Sequence, residues 1–369
     1  MEHKYIVTPA PHLHDRTSVP WVMWQVIIAL LPALAAAVYF FGWHSLYLTL
    51  LGAFAAMATE ALIQKFRKIP VTIADGSAFL TGMLVAYNVD ANAPWWFPVV
   101  GAIVAIGIGK QVFGGLGHNV VNPALLGRAF LLASWPTLIT SGWSHTKLGA
   151  INGIQADMVL PNLKAIAPKA YTLVTSATPL NVIKTLRDTT FISSMTSNPV
   201  QNHDIANNIY QQLCNLTAIK DLFWGNIGGC LGEVSAFALL IGAAYLIYLN
   251  IIEWRIPVFY LGTVFVLTLL FGGVSGLDSS YMMLPLVSMF SGGLMLGAFF
   301  MATDYTTSPI TKTGRIIFAI GCGIFTVVIR TRGGFPEGVC YSILIMNIFT
   351  PLIDRFTIPR AFGEVKKHV

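Results

Sequence analysis

The sequence predicts an all-α polytopic membrane protein, with about ten transmembrane segments arranged as two inverted five-segment repeats. Three observations lead there. Of 369 residues, 55% are hydrophobic and only 10% are charged, with a mean hydropathy of +0.68. A soluble domain carries about 25% charged residues. Long uncharged runs recur along the chain, and two pairs of glycine-containing strings repeat in the same order. This composition excludes a disordered chain, a collagen-like repeat and a soluble nucleic-acid binder. The expected partner is a lipid bilayer, with no nucleic acid.

Residues 1–20 are polar, contain three prolines and lack the apolar core and cleavage site of a signal peptide, so they read as a soluble arm. A spanning helix needs about 20 mostly apolar residues. Residues 17–59 hold no Asp, Glu, Lys or Arg, and Gly42-Trp43-His44 divides them into two helices. The first five segments are about 21–41, 45–65, 76–89, 94–112 and 122–136. A long loop at 137–232 follows, then segments at about 233–251, 257–274, 283–303, 314–330 and 337–354, and a tail at 355–369.

Ten segments place both termini on one side of the membrane. With that side inside, 13 of the 22 basic residues fall on inner pieces, and the short outer loops hold only Arg330 and Arg332. The positive-inside rule therefore makes the termini cytoplasmic and puts loop 137–232 in the periplasm. A connection of that length is usually functional.

GSAFLTGMLVAYNVD at 76–90 is similar to GGLMLGAFFMATD at 292–304, with Gly82 over Gly297 at an offset of 215. GGLGHNVVNPALL at 114–126 pairs with GGFPEGVCYSILI at 333–345 at an offset of 219. The repeats are thus 21–136 and 233–354, and five segments in each force the second to enter from the opposite side. Segments 76–89, 122–136, 283–303 and 337–354 are the ones interrupted by glycine or proline. Two readings stand: broken helices around a midplane site, or glycines that only permit tight helix packing.

A charge at the bilayer centre costs roughly 2.5–3.5 kcal/mol and calls for a partner or a wet cavity. Glu60, Glu233 and Asp304 lie near segment ends, where snorkelling or helix capping accounts for them; Asp75, Asn119 and Asn347 are further polar residues at membrane depth or beside it. Arg128 lies deeper, six residues after Asn122. The pair are candidate cofactor contacts, Arg128 for an anion or cofactor phosphate; the alternative is an Arg satisfied by neighbouring backbone carbonyls. His118, in a glycine-rich turn, reads as helix-terminal. Cys214, Cys230, Cys322 and Cys340 have no metal-site or redox spacing. Cys322 and Cys340 fall in apolar runs, whereas Cys214 and Cys230 lie in or beside the long loop, where a partner is within reach but nothing in the sequence requires one.

Within that loop, YTLVTSATPL at 171–180 sets a threonine hydroxyl among small residues and before a proline, open to a modifying enzyme. On its own this reads as a Thr-Pro turn. TSATPL resembles a covalent flavinylation motif. ADGSAFLTGMLVA, FGGLGHNVVNPALLGRAFL, GGLMLGAFFMATDYTTSPIT and RTRGGFPEGVCYSILIMNIFTPLIDR are similar to the RnfD family of membrane subunits, from the bacterial Rnf ion-translocating electron-transport complex, over about residues 3–365. The homologous B-type subunit of the sodium-translocating NADH:quinone reductase has a longer N-terminal extension and SGAT at the motif.

The resemblance implies an FMN joined to Thr178 by a phosphoester, attached by a flavin transferase, with Ser176, Ala177 and Pro179 completing the motif. Thr172 and Ser176 stand where the motif often has an acidic residue and a glycine. It further implies a urea-transporter-like core, a second, non-covalent flavin (riboflavin), and a bacterial inner-membrane location. Implied partners are Na⁺ or H⁺ and the iron–sulfur and flavin subunits of the complex. The implied reaction is ferredoxin:NAD⁺ oxidoreduction; no nucleotide fingerprint, haem-ligand pair or cluster-binding cysteine set is present for the chain to catalyse it alone. The hydropathy and repeat are equally those of a transporter or channel without redox chemistry, or of a membrane scaffold.

Overall fold

A computed structural model of the chain describes residues 17–140, 163–196, 198–273, 283–335 and 337–358. The expected arm up to residue 16, the tail beyond 358 and the early part of the long loop lie outside them. Among the described residues the regular elements are helical, with one isolated bridge between Asp90 and Cys230.

Helices α1 (Val19–Phe41) and α2 (Trp43–Phe66) divide at Gly42, whose φ of +95° only glycine adopts freely. Helix α3 (Ser77–Tyr87) is followed by α4 (Trp96–Val104), which continues as a π-helix over Ala105–Gln111. Helix α5 (Pro123–Ser134) starts on an Asn122 cap, and a short α6 (Pro136–Thr140) follows it. The long loop is a set of helices: α7 (Leu163–Ile166), α8 (Pro168–Ser176), α9 (Pro179–Leu186), α10 (Thr189–Ser193), α11 (Pro199–Leu213) and α12 (Leu216–Trp224). Beyond it come α13 (Ala236–Tyr248), α14 (Arg255–Phe271), α15 (Met283–Phe290) and α16 (Leu294–Leu296), the last extended by a π turn at Gly297–Met301. Helices α17 (Lys312–Arg332) and α18 (Val339–Thr357) close the chain.

Helices α1, α2, α17 and α18 are long and apolar enough to cross a membrane. Helix α15 with α16 and its π turn forms a fifth candidate, bent by 67° where Ser291, Gly292 and Gly293 interrupt it. Helices α3, α5, α13 and α14 run 11, 12, 13 and 17 residues. At 1.5 Å per residue, 11 residues cover about half of a hydrocarbon core.

The glycines divide between both sequence readings. Gly292 (φ +66°) and Gly293 make the break before α16. Gly82 lies so close to Gly52 and Ala53 of α2 that a Cβ would meet backbone, and a Cβ on Gly297 would strike Val339 of α18; both serve tight packing. The expected interruption of segment 337–354 is corrected: α18 is one continuous 19-residue helix. The segment's one glycine, Gly338, caps the start of α18, and Pro351 lies inside the helix without ending it, while Gly333 ends α17.

The helices before and after the loop share one core, including Leu30 and Tyr87 from the first set and Tyr260, Phe318 and Ile343 from the second. Helix α1 packs on α13 and α5 on α18, while α4 packs on α2 and α5 as α17 does on α14 and α18. Buried hydroxyls inside this core are satisfied. Tyr87 donates to the Leu30 carbonyl (2.9 Å), and Tyr260 pairs with Thr326 (2.7 Å) and Ser342 (3.0 Å). The loop helices bury a core of their own, among it Val174, Val182, Ile183, Ile205, Ile209 and Leu213, and this core closes over Leu284 and Val287 of α15. The loop is therefore a helical cap seated on the bent helix.

Candidate functional site

Thr178 lies between α8 and α9 with extended backbone (φ −69°, ψ 159°), as proline at 179 requires of its predecessor. Pro179 takes the first helical position, where its missing N–H costs nothing. The expected open hydroxyl is corrected: Thr178 is only 8% exposed, because Ala177 and the apolar face of α9 are drawn into the cap's core. Ala177 and Pro179 are buried; the Ser176 side chain lies outside the described residues. Thr172, Thr175 and Thr185 donate to carbonyls four residues back. Thr178 makes no such bond and does not cap α9 with its side chain.

Thr178 lines a small cavity of about 20 Å³ with Leu180, Gly292, Glu233 and Glu337. Below it, Arg128 of α5, 4% exposed, forms an ion pair with Glu337 and donates to Asn88 Oδ1 at 2.5 Å, with Glu233 Oε1 at 4.0 Å. Its Nε has no hydrogen-bond partner among the described residues. The guanidinium is thus held mainly by side-chain oxygens, and a phosphate would have to displace Glu337 to reach it. Asn122 caps α5, accepting from the N–H of Ala124 (3.0 Å) and Leu125 (3.4 Å), and donates to the Met301 carbonyl at 3.1 Å. Those bonds give Asn122 a structural task and tie α5 to the π turn after α16.

Glu60 does not snorkel. It is buried, with Lys110 Nζ 2.7 and 2.9 Å from its two oxygens and Gln111 Nε2 at 2.8 Å; Lys110 also donates to Ser77 Oγ at 2.6 Å. Asp304 caps its turn as expected, accepting from Thr306 (2.9 Å) and Thr307 (3.2 Å). His118 is exposed in its turn and Asn347 is buried in α18. A second cavity, of about 90 Å³, lies between the two helix sets, lined by Leu84, Lys110, Asn119, Phe299, Phe300 and Asp304 among others.

Glu337 and Lys110 escaped the sequence reading as site residues. A signal existed for the first: Glu337 stands opposite His118 in the second repeated string, at the same offset of 219. Cys230, Glu233 and Glu337 bring ligand-type atoms within 4.8 Å of one another, beside Arg128. Cys214 and Cys230, for which the sequence left a partner contact open, are both buried, free thiols. Burial pushes the Cys214 thiol up to about 12. Thiolate is the reactive form, so Cys214 is expected to resist a maleimide at pH 8 in the folded protein and to label fully after denaturation. Labelling of the native protein at the denatured rate would contradict the burial.

The free hydroxyl and the unpaired N–H groups that open any α-helix suit a phosphoester on Thr178 at the start of the eight-residue α9. The cavity itself suits it less: Glu233 and Glu337 repel a phosphate, and its volume is far below that of a flavin ring.

Residues 6–363 match the NQR2, RnfD, RnfE family. The chain belongs to that family. It is 46% identical over 362 residues to the D subunit of the Na⁺-translocating ferredoxin:NAD⁺ oxidoreductase complex of Acetobacterium woodii, covering 98% of this chain and 96% of the relative. The D subunit of the proton-translocating ferredoxin:NAD⁺ oxidoreductase complex of Clostridium ljungdahlii is 41% identical over 359 residues, with 97% and 96% covered. The D subunit of an ion-translocating oxidoreductase complex from Aliivibrio salmonicida is 34% identical over 374 residues, with 98% and 99% covered. In this family member the polar residues found above lie within the matched span.

Proposed function

We propose that this chain is the D-type membrane subunit of an ion-translocating ferredoxin:NAD⁺ oxidoreductase complex, carrying electrons on an FMN joined to Thr178 and contributing to Na⁺ or H⁺ movement. The observation that carries this reading is the near full-length likeness to relatives named as such subunits. A flavin accepts and passes single electrons, and the protein supplies its position and electrostatics. In this chain Thr178 offers the hydroxyl, α9 holds the phosphate at its N-terminus, and Arg128 keeps two carboxylates in place beneath the turn.

The reading includes ten segments in two inverted sets of five, 21–136 and 233–354, around a urea-transporter-like core. The recurring helix-packing pattern and the bend before α16 support it. The termini are cytoplasmic, the cap at 137–232 is periplasmic, and the membrane is the bacterial inner membrane. A second, non-covalent flavin is part of the reading. Iron–sulfur and flavin subunits of the complex deliver and remove the electrons, and a flavin transferase loads Thr178.

The test uses inverted membrane vesicles holding the complete complex. Reduced ferredoxin and NAD⁺ are expected to drive uptake of radioactive sodium or internal acidification, and loss of this chain abolishes both NADH formation and uptake. Undiminished NADH formation and uptake without the chain would refute the assignment.

A further inference from the structure

The bend between α15 and α16 leaves a half-helix ending inside the protein. The last carbonyls of any helix lack intrahelical partners and carry its negative end. Here one side chain takes them up. Arg330, near the end of α17 and 6% exposed, donates from Nη1 to the Ser288 carbonyl (2.6 Å) and the Ser288 hydroxyl (2.9 Å), and from Nη2 to the Ser291 carbonyl (3.3 Å). Among the described residues no carboxylate lies within ion-pair distance of it. Arg128 and Lys110, the other two deeply buried cations, each pair with a glutamate.

Three neutral oxygens from a hydroxyl and two carbonyls, at the C-terminal end of a half-helix, are the donor set that binds a hard monovalent cation where a membrane helix is interrupted. Gly292 has a φ of +66° that favours glycine, and a Cβ there would strike Leu180 at 2.7 Å and stand 3.3 Å from Arg330 Nη2, so glycine keeps this corner free of a side chain. The first helix set has a counterpart: Lys110 ends its π-helix with a 2.6 Å bond to Ser77, at the start of α3. That cation is in direct contact with Glu60, whereas the hydrogen-bond partners of Arg330 are all neutral oxygens, with Glu337 and Glu233 acting on it only from beyond ion-pair distance.

We propose that the Ser288 and Ser291 carbonyls and the Ser288 hydroxyl form a monovalent-cation site, and that the Arg330 guanidinium is its tethered occupant. A fixed positive charge in that place excludes Na⁺ while the guanidinium stays bound, and swinging it away opens the site. The device seals the bent helix against passive leak. It does not rest on a flavin at Thr178.

The experiment reconstitutes the assembled complex in liposomes without electron donor and follows efflux of trapped radioactive sodium. A unit charge at hydrogen-bond distance is worth more than one decade in rate, so Arg330→Ala is expected to leak roughly tenfold faster than wild type, or more. Low-millimolar guanidinium chloride should restore the seal, and Arg330→Lys should stay tight. Arg330→Gln keeps donors without the charge and serves if the alanine variant does not assemble: it leaks if charge is the seal. In detergent, the neutral variants should gain thermal stability in sodium chloride over choline chloride, a difference the wild type lacks. An assembled neutral variant with wild-type leak and no sodium-selective stabilisation would overturn the proposal and leave Arg330 a helix cap.

Discussion

Arg128→Met is expected to destabilise the protein by about 3–5 kcal/mol, the cost of leaving a buried charge without its partner. The guanidinium is the cation paired with Glu337, with Glu233 close by, and it also binds Asn88, which leads into the bridge between Asp90 and Cys230. Methionine is shorter than arginine but close to it in volume, so the loss reports charge more than a cavity. The double variant Arg128→Met with Glu337→Gln should recover most of the stability, because removing both members of a buried pair is often nearly neutral. Denaturant unfolding of the purified chain in detergent measures both. A single variant as stable as wild type would mean that Glu337 finds another partner or is protonated.

The second large effect separates function from folding. Thr178→Ala is expected to abolish covalent flavin and to reduce ferredoxin-driven NAD⁺ reduction to background, with a stability loss of only about 1 kcal/mol, the burial of one methyl group. The reason lies in the turn: the hydroxyl caps nothing, and Ala177, Pro179 and Leu180 supply the packing. Thr178→Ser keeps a hydroxyl at the start of α9 and is expected to retain flavin. The burial of Thr178 adds a kinetic expectation. A transferase reaches the residue before the cap closes over α15, or while it is open, so flavin added to the folded chain should be incorporated more slowly than during synthesis.

Much of this organisation is legible in sequence where backbone chemistry dictates it. Gly42 divides the first two helices, the Gly292-Gly293 pair bends the later one, and Arg128 stands out as a charge too deep to snorkel. What could not be read is pairing over distance. Lys110 counts as an inner-surface charge in the linear sequence, yet Glu60, one turn and a half from the end of α2, draws it into the protein. Glu337 sits in a Gly-Pro stretch that resembles any exposed turn, and only the packing of α18 against α5 brings it to Arg128. Arg330 reads as a loop charge for the same reason. On the proposed topology, leaving out Lys110 and Arg330 changes the count to twelve inner basic residues against one outer. Most of the loop helices are too short to carry a clear period, but α11 does carry one that escaped the sequence reading: Asn202, Ile205, Ala206, Ile209, Tyr210 and Leu213 share its buried face.

The proposed covalent flavin on Thr178 would make this chain an electron carrier rather than a membrane scaffold. The direct measurement is flavin fluorescence of the denatured polypeptide on a gel, wild type beside Thr178→Ala, each co-expressed with the flavin transferase. A fluorescent band in wild type alone is the predicted result. A dark wild-type band, or an equally bright alanine variant, would contradict it, the first by removing the carrier and the second by moving it elsewhere in the chain.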